Sequence, residues 1–296
     1  MNTAIYISFA TPYISSITRD ECFVHSPMPL DGALAYAIYW RHAFQQGSMQ
    51  LTPTNGSLNG DLLEQVVYPE LSRVLAKTTV GGILGDESIT NEVYLVSSGF
   101  PVQKGRAFFK VGARYVELET GTLLDLKYDI QPIRKRVDPM RLMSLGIQPI
   151  TKTGIVPREE IDTKRGGLKA IDNRITTWTV FDYVWYAQVL DEGLLRELLE
   201  VLKFQGMGKK RSAGFGKVVG YCIQSNNDFV AEKEVFIRPN GQYVLLRPIP
   251  YSAVMNSKTK VALTNLMVEF GCGSRPPYWN AKEVIIREGT IFNFVS

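Results

Sequence analysis

The first clear pattern along the chain is AIYISFATPYI, beginning at Ala4, where β-branched and aromatic residues alternate loosely with small and polar ones. That period of two predicts an opening strand. The period then lengthens. In HSPMPLDGALAYAIYWRHAFQQG, Pro27 and Pro29 bar an earlier helix, Asp31 suits an N-cap, and Ala33 to Gln46 carries helical spacing that ends at Gly47. EVYLVSSGF and RAFFKVGARYVEL return to strand-like runs. From Leu126 to Arg174 no period persists, and Pro, Gly and basic residues accumulate. So long an irregular segment is usually functional or disordered, and an extended loop or β-hairpin arm is expected there. TTWTVFDYVWYAQV then reads as a strand, and DEGLLRELLEVLKFQG as a helix with apolar Leu194, Leu195, Leu198, Leu199, Val201 and Leu202. KVVGYCIQ follows as a strand. Strand–helix–strand thus occurs once in each half, and two βαβ-type halves predict an α+β, ferredoxin-like fold. The expected divisions are an N-terminal half (1–126), a basic arm (127–174), a second half (175–224) and a C-terminal extension packed on the core (225–296).

Composition narrows the class. With 296 residues, 45% hydrophobic and 21% charged, the chain fits one large or two small soluble domains with a substantial core. No run approaches the ~18 apolar residues of a membrane span. The opening MNTAIYISFATPY has neither a basic n-region nor a cleavage site, so no secretory signal is expected. Cys22, Cys222 and Cys272 are odd in number and far apart. They form neither a disulfide framework nor a zinc pattern, which points to a reducing cytoplasm. The net charge of +4 is unevenly spread. Residues 1–126 carry 8 basic and 12 acidic side chains, residues 127–217 carry 17 and 11, and residues 218–296 carry 8 and 6. The middle of the chain is therefore the expected contact for an anion.

That middle contains GMGKKRSAGFGKVV, starting at Gly206. The spacing is G-x-G-x5-G-x-G, and a predicted helix precedes it while a strand follows. A phosphate-binding P-loop or a dinucleotide fingerprint needs the reverse, a strand before and a helix after. Glycine allows positive φ and close backbone approach, and successive N–H groups in such turns form anion-binding nests. Lys209, Lys210, Arg211 and Ser212 add cationic and hydroxyl donors suited to phosphate. A tight helix-to-strand turn with solvated charges is the plainer reading. Four glycines around a Lys-Lys-Arg-Ser core weigh toward an anion site.

The loop resembles that of the RAMP superfamily of CRISPR effector proteins. HSPMPLDGALAYA, VSSGFP, the basic middle, GMGKKRSAGFGKV, LRPIPYS and GCGSRPPYW together resemble the Cas five-like subunit of type IV CRISPR complexes, over Ser26 to Trp279. The equivalent subunit of type III complexes shares the loop and the general layout. The resemblance implies a RAMP-type, RRM-like fold and an RNA-binding subunit in a prokaryotic antiviral ribonucleoprotein. Such a subunit binds the 5′ handle of the crRNA, caps the filament, contacts the Cas seven-like backbone subunit and the large subunit, and meets target DNA only through the complex. Gly206, Gly208, Gly214 and Gly216 would then shape the phosphate-binding turn, and Lys209, Lys210, Arg211 and Ser212 would touch the handle. Arg134, Lys135, Arg136, Lys164, Arg165 and Lys169 would supply a secondary surface on the thumb-like arm. In the superfamily's processing endonucleases the glycine loop usually lies close to the C-terminus, whereas here about eighty residues follow it. That departure favours a handle-binding role.

A metal-independent endoribonuclease of the same superfamily is the alternative. It would use His25 or His42 near the first helix as general acid or base, assisted by Tyr39 and Arg41. His25 also fits a turn and His42 a packed helix position. Asp31 with Gly32 reads as a helix cap, and Glu159, Glu160 and Asp162 as charge balance within the arm. No metal set, cofactor motif or hydrolase signature stands out. The runs from Arg247 to Pro250 and from Arg275 to Trp279 suit base stacking or structural plugging equally. A structural module that binds an acidic protein through the basic arm is the remaining alternative.

Overall fold

The computed structural model describes residues 2–11, 13, 29–45, 60–111, 114–124, 131–137, 150–151, 154–155, 171–177, 180–208, 211, 214–225, 237–240, 242–272, 276 and 283–295. The chain divides into two compact units. One comprises residues 1–16, 25–128 and 180–296, the other residues 17–24 and 129–179.

The larger unit is α+β and is built on a seven-stranded antiparallel sheet. Its strands lie in the order β13 (Val218–Ser225), β1 (Asn2–Phe9), β12 (Asp182–Gln188), β4 (Phe100–Gln103), β5 (Arg106–Val111), β6 (Arg114–Glu117) and β7 (Leu123–Leu124). Alternation along β1 and β12 sorts their side chains between two cores. Ile5, Ile7 and Phe9 share one face with Tyr183, Trp185 and Ala187, while Ala4, Val184 and Tyr186 take the other. Burying one such large apolar side chain is worth about 1.5–3 kcal/mol.

Helices cover the first face. Helix α1 (Leu30–Gln45) contributes Leu34, Ala35 and Ile38. A turn of α-helix (Gly60–Leu62) and a π-helical turn (Leu63–Val67) lead into α2 (Tyr68–Val74), which adds Leu71 and Val74. Then α4 (Glu192–Gln205) buries Leu195, Leu198, Leu199 and Leu202. Its start matches the sequence pattern, because the Asp191 carboxylate accepts the Leu194 N–H at 2.9 Å. Leu95, Val244 and Leu246 cover the second face around Ala4, Val184 and Tyr186. At β13 that face is open, with Cys222 and Gln224 exposed.

Several expected elements break where long-range contacts intervene. EVYLVSSGF is not one strand. Only β3 (Glu92–Tyr94) and the start of β4 are extended in it, and β3 pairs with β2 (Lys77–Thr79). Between them Ser97 N–H donates to the Tyr186 carbonyl (2.8 Å) and Ser98 N–H to the Leu246 carbonyl (2.7 Å), which diverts the backbone. RAFFKVGARYVEL folds back as the β5–β6 hairpin. TTWTVFDYVWYAQV divides between β11 (Ile171–Thr177) and β12, which belong to different sheets.

Asp31 is not the cap of α1. The helix begins at Leu30, directly after Pro29, so Asp31 lies inside the first turn. Its carboxylate accepts the Gly32 N–H at 2.9 Å and faces Arg247 Nη2 at 3.4 Å, with both charged side chains fully buried. Arg247 Nη1 also donates to the Tyr94 carbonyl. Leu246 to Pro250 are all buried, so the first proline–arginine run is core structure and not an exposed clamp.

The C-terminal part forms two small antiparallel sheets. One has the order β14 (Ile237–Asn240), β15 (Gln242–Leu245), β20 (Ile291–Phe294) and β17 (Val261–Thr264). The other has the order β16 (Ile249–Pro250), β19 (Glu283–Ile286) and β18 (Val268–Cys272). Helices α3 (Val80–Leu84) and α5 (Tyr251–Met255) share a core with them through Val80, Ile83, Ile249, Ala253, Ile286 and Phe292. Asp86 ties the turn after α3 to residues 257–258. Hydrogen bonds from the Ser88 hydroxyl, the Lys258 and Ser88 amides and the Ser257 hydroxyl pull its carboxyl down to about 2. A depressed carboxyl contributes stability above its ordinary value near 3.8, and the contribution is lost as pH falls through about 2. The wild type should therefore melt above Asp86→Asn at pH 7, and the gap should close between pH ~4 and ~2. A gap independent of pH in thermal melts would contradict this.

In the smaller unit, β8 (Gln131–Val137) pairs with β11, and β9 (Ile150–Thr151) pairs with β10 (Gly154–Ile155). Both pairs are antiparallel. The register sets Arg134 opposite Arg174, Lys135 opposite Asn173 and Arg136 opposite Asp172.

Candidate nucleic-acid interface

Helix α4 ends where the Gly206 N–H donates to the Leu202 carbonyl at 2.7 Å. The chain then loops out and returns to the same point, where Met207 N–H donates to the Gly216 carbonyl at 2.9 Å. Met207 is buried in the main core and anchors this neck. A Cβ at Gly216 would lie 1.8 Å from the Met207 carbonyl oxygen, and one at Gly206 would lie 2.9 Å from the Gly216 oxygen. Bare backbone at both positions is therefore what lets the two limbs touch. At the tip the requirement is conformational: Gly208 and Gly214 have φ of 85° and 89°, and Gly214 N–H donates to the Arg211 carbonyl at 2.8 Å. Strand β13 is tied to the end of β1, because Ala10 N–H donates to the Lys217 carbonyl (2.8 Å) and Lys217 N–H to Thr11 Oγ1 (2.9 Å).

The loop leans on α1. The Arg211 guanidinium carbon sits 4.0 Å from the centroid of the Tyr36 ring, a cation–π contact that holds the cation at the mouth of the loop. Behind it Tyr13 is buried against Phe9 and Tyr183. Burial pushes the Tyr13 phenol well up, against the opposing pull of the Arg211 and Arg287 charges. The phenol is therefore neutral and leaves the Arg211 charge uncancelled.

Of the expected site residues, the structure brings together Gly206, Gly208, Arg211, Gly214 and Gly216. Lys209, Lys210 and Ser212, and likewise Lys164, Arg165, Lys169 and His25, lie outside the described residues, as do Glu159, Glu160 and Asp162. Arg134, Lys135 and Arg136 lie on β8 of the smaller unit. His42 does not join the loop. It is six residues beyond Tyr36 on α1, which sets it about 9 Å farther along the axis and about 120° around it. The residues expected to assist it are otherwise engaged. Tyr39 is buried in the core, and Arg41 pairs with both Glu70 and Glu197. In the second proline–arginine run only Pro276 is described, and its carbonyl accepts the Tyr68 hydroxyl at 2.5 Å. Among the described residues, no three His, Cys, Asp or Glu side chains gather as a metal set, and no helix is long and apolar enough to cross a membrane.

An aromatic stripe beside the loop carries no expected site residue. Tyr36, Trp40 and Phe44 follow one another at intervals of four on α1, and Phe204 closes on Trp40 from α4, with ring centroids 6.1 Å apart. That spacing is the one signal in the sequence that marks the stripe. No protein-family model and no curated protein sequence matches the chain.

Proposed function

We propose that this protein is a non-catalytic, RNA-binding subunit of a type IV CRISPR surveillance complex, in which the glycine loop grips the phosphate backbone of the crRNA 5′ handle. The observation that carries the reading is the loop itself. Its neck is closed by two backbones in contact, and its tip holds Arg211 over Tyr36 within the sequence Lys209–Ser212. A plain helix-to-strand turn has no need of an eleven-residue excursion, Gly206 to Gly216, carrying three consecutive cations. The strand order β13-β1-β12-β4, with α1 after β1 and α4 between β12 and β13, supports the ferredoxin-like reading. The arm then extends the connection between β4 and β12. Leu95, Val244 and Leu246 cover the second face of the sheet around Ala4, Val184 and Tyr186, and RNA would meet the loop and helix side. Arg134, Lys135 and Arg136 would add a second cationic surface, and the backbone and large subunits would be the protein partners.

Every phosphate neutralised on a single strand adds about 0.7 to the slope of log K against log salt. Lys209→Ala/Arg211→Ala should therefore flatten the slope by about 1.4 and weaken repeat-RNA binding roughly tenfold at ~0.15 M salt. Unchanged affinity and slope in a filter-binding titration would remove the loop from the interface.

A further inference from the structure

The loop accounts for phosphate but leaves the neighbouring aromatic surface unexplained. Phe204 is 80% exposed and Phe44 is 68% exposed, among the most exposed large apolar side chains described. They are not scattered. Trp40 and Phe44 stack with centroids 5.7 Å apart and planes 12° apart, and Phe204 tilts against Trp40 at 56°. The same stripe continues to Tyr36, whose ring already carries the Arg211 guanidinium. Helices α1 and α4 run antiparallel along it. Glu197 reaches Arg41, Phe204 reaches Trp40, and Arg211, beyond the end of α4, reaches Tyr36. The result is a row of planar groups that begins at the cationic loop and leads away from it down α1.

We propose that this row is a base-stacking track for single-stranded RNA, and that the nucleotides next to the loop-bound phosphates lay their bases on Trp40, Phe44 and Phe204. The inference rests on the RNA-binding reading above and extends it from the backbone to the bases. Three features favour RNA over a protein surface. The Trp40 and Phe44 planes are nearly parallel, as a run of stacked bases requires. The row ends in a guanidinium, itself a stacking plane. The loop at that end has the opposite charge to a phosphate backbone, with Lys209, Lys210 and Arg211 in succession. Of the acidic side chains nearby, Glu197 and Glu70 share the Arg41 guanidinium, and Glu200 lies 3.8 Å from the Lys203 ammonium. From Tyr36 to Phe44 the helix rises about 12 Å, which at ~3.4 Å per stacked nucleotide holds roughly three bases.

The test uses the full chain, a mixed-sequence single-stranded RNA, the same strand annealed to its complement, and the sizes of the free proteins in solution. Phe44→Ala/Phe204→Ala should weaken single-strand binding at least tenfold while leaving the salt slope unchanged, since stacking releases no counterions. Phe204→Trp should keep the affinity and Phe204→Leu should lose it. Leu190→Ala, an exposed apolar control off the row, should change nothing. Trp40 fluorescence should be quenched by the single strand and not by the duplex, and the quench should vanish in Trp40→Phe. If the wild type binds no RNA, the functional reading falls and the track with it. If it binds RNA with an Arg211-dependent salt slope but the phenylalanine variants match the wild type, only the track falls. Full affinity in Phe204→Leu, or a wild-type oligomer that the double variant dissolves, overturns the track in favour of an apolar protein interface.

Discussion

Arg247→Ala should cost about 3–5 kcal/mol of stability. Arg247 has no solvent exposure and faces Asp31, which has none either. Removing the guanidinium deprives a carboxylate in the interior of this counter-charge, and it also vacates the Tyr94 carbonyl. Typical domains have only about 5–15 kcal/mol in total, so the midpoint of urea unfolding should fall steeply. Arg247→Lys should not restore it, because one ammonium cannot span a carboxylate and a carbonyl as the planar fork does. Asp31→Asn/Arg247→Met should recover much of the loss, since a buried pair is costly to break and cheap to replace whole. A loss below ~1 kcal/mol for Arg247→Ala would show that the pair does not fasten α1 to the C-terminal part.

Gly216→Ala should damage both folding and RNA binding. The new Cβ would overlap the Met207 carbonyl oxygen, and the residue would keep φ at 66°. A side chain held in that region costs on the order of 1–3 kcal/mol before any overlap is counted. Relief requires the two limbs of the neck to part, which moves Arg211 away from Tyr36. Gly214→Ala is the informative contrast. Its φ is 89°, but nothing lies within 4 Å of the added carbon, so only the conformational cost applies. Urea melts and RNA titrations should rank Gly216→Ala well below Gly214→Ala in both stability and affinity. Equal behaviour would mean that the neck tolerates a side chain and that its glycines are not what shapes the loop.

What the sequence discloses follows the range of the interactions. Helix α4 is legible because Asp191 and four leucines at helical spacing act within one element. The glycines are legible because their backbone demands are local. Asp31 misleads because its partner lies 216 positions away. A lone Asp before an apolar helix looks like a cap until Arg247 is placed beside it. The Leu246–Pro250 run carries the arginine and prolines of a binding clamp, and only the packing of α1, β3 and the C-terminal sheets reveals it as core. The break in EVYLVSSGF likewise comes from Tyr186 and Leu246, which capture the two serine amides. The cation over Tyr36 and the ring of Phe204 against Trp40 arise because α1 and α4 lie side by side, which no window along either helix contains.

Whether residues 206–217 hold the 5′ handle is tested most directly by photocrosslinking followed by peptide and RNA mapping. The purified chain would be bound in EDTA to its neighbouring repeat RNA, irradiated and digested. The crosslinked peptide should lie within 206–217, the RNA attached should be the handle, and the RNA should be recovered uncut. Crosslinks confined to other segments, or repeat RNA cleaved at one site and left whole by His25→Ala/His42→Ala, would contradict a handle-binding loop on a non-catalytic subunit.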